Sequence, residues 1–159
     1  MKKLTRLLLT LPILLVLVAV AGLSLLGWKS RNETPAYLAK RDLALDNGNP
    51  NFVSSLVANP ERRIEPLTSE GNPEDAWKQA IAAILAAPRT EARIQENDYF
   101  RAESRSRIFG FVDDIELLRS GDDGTIHIRS SSRVGRSDLG ENAKRVKSIR
   151  QRFEEAPRN

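Results

Sequence analysis

Asp113 and Asp114 stand side by side, Glu116 follows two residues on, and His127 and Arg129 come shortly after. Paired carboxylates near an imidazole can do general acid/base chemistry, one group holding a proton while another accepts one. A hydrolase or lyase could use Asp113, Asp114 and His127 in this way. The same residues on paired strands could equally be cross-strand ion pairs on a wetted sheet face. Downstream lies Ser130-Ser131-Ser132-Arg133-Val134-Gly135-Arg136-Ser137-Asp138. Its hydroxyls, with Arg133, Arg136 and a helix N-terminus, could cradle a phosphate or a lipid headgroup. In the structural alternative Gly135 and Gly140 permit a tight turn and the serines satisfy the loop's own backbone. With no cysteine, thiol catalysis, disulfides and thiolate metal sites are excluded. His127 is the single histidine, so no metal site is expected, and no stretch implies a cofactor. Gly135 to Gly140 is one residue too long for a nucleophile elbow.

Strands and helices must position these groups. In the strand from Phe109, the period of two puts Asp113 on a face with Phe109, Phe111, Ile115 and Leu117, and Asp114 and Glu116 on the other. Asp113 is therefore expected to be an inward carboxylate held by Arg129, Arg133 or the serine hydroxyls. Asp114 and Glu116 are expected on a wet face beside His127 and Arg129. One of two registers pairs Glu116 with His127 and Asp114 with Arg129. Upstream, Tyr99, Arg101, Glu103, Arg105 and Arg107 alternate with Phe100, Ala102, Ser104, Ser106 and Ile108, which predicts a one-sided sheet with a solvated charged face. Asn97-Asp98 and Gly121-Asp122-Asp123-Gly124 are hairpin turns.

Asn72, Pro73, Glu74 and Asp75 open a helix whose stripe is Trp77, Ile81, Ile84 and Leu85, and Pro88 ends it. Asp138 and Glu141 fit a capping box for a last helix burying Leu139, Ala143, Val146, Ile149 and Phe153. The fold expected is α+β: an antiparallel meander of about four strands with helices on one face.

Leu7 to Gly27 carries no charge, and its length as a helix, about 31 Å, matches a bilayer core. Lys2, Lys3 and Arg6 precede it, so the positive-inside rule places the N-terminus in the cytoplasm and the domain across the membrane, with Trp28 at the far interface. Ala19-Val20-Ala21 is also a possible signal-peptide cleavage site, although Leu23, Leu25 and Leu26 carry the apolar run past it. Either way the domain is exported. Residues 1–28 read as an anchor, 29–50 as a linker with a turn at Asp46-Asn47-Gly48-Asn49-Pro50, and 51–159 as the domain. Without the three N-terminal cations, the remaining 22 Lys and Arg nearly balance 21 Asp and Glu. Such a domain lacks the strong basic excess of a nucleic-acid binder.

Phe109-Gly110-Phe111-Val112-Asp113-Asp114-Ile115-Glu116, followed by Arg129 to Asn142 and Arg145, resembles the signature of domain-of-unknown-function family 1499. The resemblance covers roughly Pro50 to Phe153. Asn51-Phe52-Val53-Ser54-Ser55 is similar to the family's N-terminal motif, with Phe52 where members commonly carry a cysteine. It implies an often exported bacterial domain and transfers no catalytic residue. The function expected is binding or scaffolding in the cell envelope, with an envelope protein or anionic ligand as partner. The candidate site comprises Asp113, Asp114, Arg129, Ser131, Ser132, Arg133, Arg136, Ser137, Asp138, Asn142 and Arg145.

Overall fold

The computed structural model describes residues 2–156 apart from 47, 122 and 123, and the side chains of residues 1–9 lie outside the description. The sequence-based turns at Asp46 to Pro50 and Gly121 to Gly124 thus fall partly outside it, as do the side chains of Lys2, Lys3 and Arg6. Helix α1 (Lys2–Asn32) contains a stretch long and apolar enough to cross a membrane. The large apolar side chains from Leu11 to Leu26 that face outward are covered by nothing in the chain.

The period-two stretches form strands. β1 (Phe52–Ser54), β2 (Leu67–Thr68), β3 (Thr90–Gln95), β4 (Tyr99–Arg105), β5 (Val112–Ser120) and β6 (Thr125–Ser132) make one sheet among the described residues. The expected four-strand meander is β3 to β6, all antiparallel; the short β1 and β2 add to it by pairing side by side along the free edge of β6. Ser120 pairs with Thr125, so four residues bridge β5 and β6, Glu116 falls opposite Arg129, and His127 falls opposite Leu118. This is the other of the two registers expected.

One face of the sheet carries α2 (Pro73–Leu85) and α3 (Glu141–Glu155). Asn72 caps α2 as its position before Pro73 requires, its side-chain oxygen accepting from the Glu74 and Asp75 amides. Trp77, Ile81 and Ile84 turn inward with Ala76, Ala80 and Ala83, and meet Phe100, Ile115, Leu117, Ile126 and Ile128 from the sheet and Val146, Ile149 and Phe153 from α3. Each large side chain buried there is worth about 1.5 to 3 kcal/mol.

The other face is not solvated. Of residues 29–50, expected as a linker, the first belong to α1, which runs on to Asn32, and the stretch that follows it lies across this face: a 3₁₀ turn at Ala36–Lys40 buries Leu38, and Leu43 is fully buried. Those two leucines remove enough apolar surface from water to offset part of the ordering cost of the segment. The one-sided sheet expected from sequence is thus covered on both sides, and Glu103, Asp114, Glu116 and Arg129 are buried.

α3 starts later than a capping box at Asp138 predicts. Leu139 and Gly140 both take left-handed backbone (φ 52° and 77°), and the helix begins at Glu141. Leu139 and Ala143 are therefore outside the core, Leu139 being 85% exposed, while Asn142 is buried. Glu141 pairs with Lys144 rather than reaching back. Asp138 still satisfies the helix end, accepting from the Asn142 amide at 2.8 Å and the Gly140 amide at 3.2 Å. Asp138→Ala is expected to lower stability by about 0.5 to 2 kcal/mol in chemical denaturation of the full chain in detergent, with the fold retained. An unchanged midpoint would mean the cap contributes nothing.

Candidate functional site

Adjacent strand residues point to opposite faces, so the two motifs supply two separate polar clusters. Asp114, Glu116, Arg129, Ser131 and Arg133 belong to the face covered by the N-terminal arm. Asp113, Ser130, Ser132, Asn142 and Arg145 belong to the helix face.

On the arm face Arg133 grips Asp114 with two bonds, Nε to Oδ2 at 2.8 Å and Nη2 to Oδ1 at 2.9 Å. The same Nη2 pairs with Glu103, and Nη1 donates to the Ser30 carbonyl at 3.3 Å. Arg101 adds a second cation at Asp114 Oδ1 (3.3 Å), and Arg93 a second at Glu103 (2.8 Å). This fork geometry suits Arg better than Lys, because a planar guanidinium can meet two carboxylate oxygens at once. Glu116 accepts from the Tyr99 hydroxyl at 2.7 Å. Arg129, wholly buried, donates to the carbonyls of Leu45 (2.6 Å) and Leu43 (3.4 Å) and lies 4.3 Å from the centre of the Phe52 ring. Its Nε and Nη2 make no hydrogen bond among the described residues, and its charge is offset by Glu116 at 3.8 Å and by the ring. Ser131 shares a hydrogen bond with Tyr37 of the arm.

On the helix face Asp113 pairs with Arg145 of α3, not with Arg129 or Arg133 as expected. Its side chain keeps 17% of its surface, so it is the half-open carboxylate, while Asp114, expected to be wet, has none. Arg145 also donates to Ser130 Oγ at 3.1 Å and Asn142 Oδ1 at 2.8 Å. Asn142 donates to the Asn51 carbonyl and to Ser132 Oγ. These bonds tie α3 to β6 and to the residue before β1.

Burial is the strongest influence on Asp114 and Glu116 and raises both carboxyls above their ordinary values; Arg133 offsets part of it for Asp114, and Tyr99 and Arg129 part of it for Glu116. Burial opposes ionisation of Glu103 as well, but bonds from Arg133 and Arg93 outweigh it and lower its carboxyl. Burial works to lower Arg133, and its bonds to Asp114 and Glu103 overcome this and hold it cationic. We read the Arg133 cluster as ionised, since one guanidinium serves two carboxylates.

The catalytic constellation that the sequence offers as an alternative is not assembled. Asp113 and Asp114 lie on opposite sides of the sheet, and His127, opposite Leu118, places Nδ1 3.2 Å from Ser55 Oγ. Nor is the phosphate cradle open. Arg133 is enclosed, Ser130 and Ser131 are buried, and Asp138 itself occupies the helix N-terminus. Arg136 and Ser137 are exposed. A 390 Å³ cavity beside Arg133 and Val134 is walled by Lys29, Ser30, Glu33, Thr34, Pro35 and Ala36, and contains neither Asp113 nor His127. Among the described residues no three His, Asp or Glu side chains group as a metal would require. Sequence reading overlooked Ser30, Tyr37, Leu43 and Asn51. The visible signals were the spacing of Tyr37, Leu38 and Leu43 in an otherwise polar stretch and, for Asn51, its place in the N-terminal motif.

Fold and site together define an α+β sheet domain with two buried polar clasps, attached to an N-terminal apolar helix. A family model described as a protein of unknown function, DUF1499, matches residues 42–153, and the chain belongs to that family. A search of curated proteins finds no match.

Asp114→Asn strips Arg133 of its bidentate partner where both side chains are buried and should cost about 3 to 5 kcal/mol in urea denaturation. Asp113→Asn should cost less, because its pair with Arg145 is partly open to solvent and Arg145 keeps Ser130 and Asn142 as partners; a reversed order would contradict the assigned faces. The pH dependence has two limbs. Asp114 and Glu116, raised above their ordinary values of 3.8 and 4.5, bind protons more tightly when folded, so stability falls as pH rises above those values through their folded ones. Glu103 and Asp138 are lowered, so their contribution is lost as pH falls below 4.5 and 3.8 respectively. Glu116→Gln should shrink the first limb to the share of Asp114 and leave the second; an unaltered first limb would show that Glu116 contributes nothing to it.

Proposed function

We propose that the chain is a membrane-anchored, non-enzymatic binding or scaffolding module of the bacterial cell envelope, with its N-terminus in the cytoplasm and its domain outside. The observation that carries this reading is the saturation of the acidic residues: the carboxylates a catalyst would need are held by guanidinium groups and divided between two faces. Ionised pairs so enclosed cannot cycle protons with a substrate in the way general acid/base catalysis demands. What remains free for a partner is the exposed run Gly135 to Ser137 and the surface around it.

An uncleaved anchor is favoured by what cleavage after Ala21 would leave behind. The new N-terminus would be a short helical stub presenting Leu23, Leu25, Leu26 and Trp28 to water, an apolar patch of the kind soluble surfaces avoid. The charge bias of the preceding residues favours the stated orientation.

Two measurements test the proposal. A reporter fused after Asn159 should behave as extracytoplasmic, and the mature chain should begin near Met1. Cytoplasmic reporter activity would overturn the orientation, and a start at Gly22 would overturn the anchor. A photo-crosslinker at Arg136, used in intact membranes with lipids retained, should give one discrete adduct that a crosslinker at Asn97 does not. Turnover of an envelope substrate lost in a folded Asp114→Asn chain would replace this reading with the hydrolase.

A further inference from the structure

The β4–β5 loop carries Ile108 with 82% of its surface exposed. A single exposed apolar side chain is ordinary and argues nothing by itself. The position of this one is different. The loop lies directly against the end of the apolar run in α1, and two glycines permit the contact. A Cβ on Gly27 would collide with the Phe109 carbonyl, and one on Gly110, at φ 66°, would collide with the Arg31 guanidinium. Arg31 Nη1 donates to the Phe109 carbonyl at 2.7 Å, and the Val112 amide donates to Ser30 Oγ at 2.8 Å.

Gly27 closes the uncharged span, and Trp28, 55% exposed, follows it. In a helix that crosses a bilayer these residues mark the boundary between hydrocarbon and headgroups, where tryptophan is enriched. Phe109 touches Gly27, so its neighbour Ile108 stands at that same depth. Arg107, also exposed, adjoins it, and Lys29 and Arg31 lie on the adjacent turn. An apolar tip flanked by cations is the pattern of a segment seated in an anionic interface.

We infer that the β4–β5 loop is a second membrane contact: Ile108 enters the interfacial layer of the bilayer that α1 crosses, Arg107 faces lipid phosphates, and the two contacts fix the domain's orientation on the membrane. The inference rests on the uncleaved anchor proposed above.

The chain has no cysteine, so single-cysteine labelling is unambiguous. The full chain carrying Ile108→Cys, labelled with an environment-sensitive fluorophore, is reconstituted into vesicles of phosphatidylethanolamine and phosphatidylglycerol. Asn97→Cys, in the turn at the opposite end of the sheet, is the reference. The expected result is blue-shifted emission at position 108, quenched by lipids spin-labelled near the headgroup, with aqueous emission at 97. Aqueous emission at both positions in a chain that floats with the vesicles would overturn the loop contact and leave the anchor standing. A blue shift that lipid quenchers do not reach would also overturn it, since the loop would then be covered by protein. If the chain fails to float, the anchor and the inference fall together.

Discussion

A sheet face that carries Arg101, Glu103, Asp114, Glu116 and Arg129 can leave water only if every charge finds a counterpart. Moving an ion out of water costs several kcal/mol even after relaxation, so well-paired buried ions add little net stability. What they impose is arrangement. Arg133 must meet Asp114, Glu103 and the Ser30 carbonyl together, and Arg129 must meet the carbonyls of Leu43 and Leu45. A shift of the arm by one residue would leave at least one guanidinium buried and unsatisfied. The N-terminal segment therefore has one way to lie on the sheet, and its two buried leucines supply the driving force to lie there at all.

Much of the architecture was legible because it follows from local rules. The cap at Asn72, the apolar stripe of α2 and the strict alternation in β4 each identify an element without reference to its neighbours. Ser106, Arg107 and Ile108 fall beyond β4, and Phe109 and Phe111 precede β5, but within β4 and β5 the alternation also sorted residues correctly into two faces. Which face was wet could not be read from it. The arm and the end of α1 meet the guanidiniums of this face with backbone carbonyls, Ser30 at Arg133 and Leu43 and Leu45 at Arg129, and a carbonyl is supplied by any residue type, so a polar and weakly periodic arm looked like a linker. Asp113 was misjudged for the complementary reason. It shares a face with Ile115 and Leu117, but it sits at the end of β5, where the core gives way to the N-terminal turn of α3 and Arg145 can reach it. The late start of α3 was hidden too, because Asp138 caps the helix across two left-handed residues rather than from the position next to it.

The two sequence motifs look like one site because neighbouring residues serve opposite faces. Ser130 and Ser132 bond toward α3, and Ser131 bonds toward Tyr37 of the arm. Asp113 and Asp114 divide in the same way. A dense run of Asp, Ser and Arg thus marks a strand pair on which two polar clasps are mounted back to back, one holding a helix and the other holding the arm. Clusters of this composition invite a catalytic reading, and the period of two in a strand is what separates them.

The arm clasp also ties the domain to α1. Ser30 belongs to α1, yet its hydroxyl accepts from the Val112 amide and its carbonyl accepts from Arg133. Arg31, one residue on, bonds the Phe109 carbonyl. The apolar helix therefore enters the domain as a packed element with no free tether between them. The described part of the segment after α1 is packed on the sheet and is not the mobile linker that the polar composition of residues 29–50 first suggested. A rotation of α1 would be passed through Ser30 to the Arg133 cluster, at the end of the sheet where β5 begins and β6 stops.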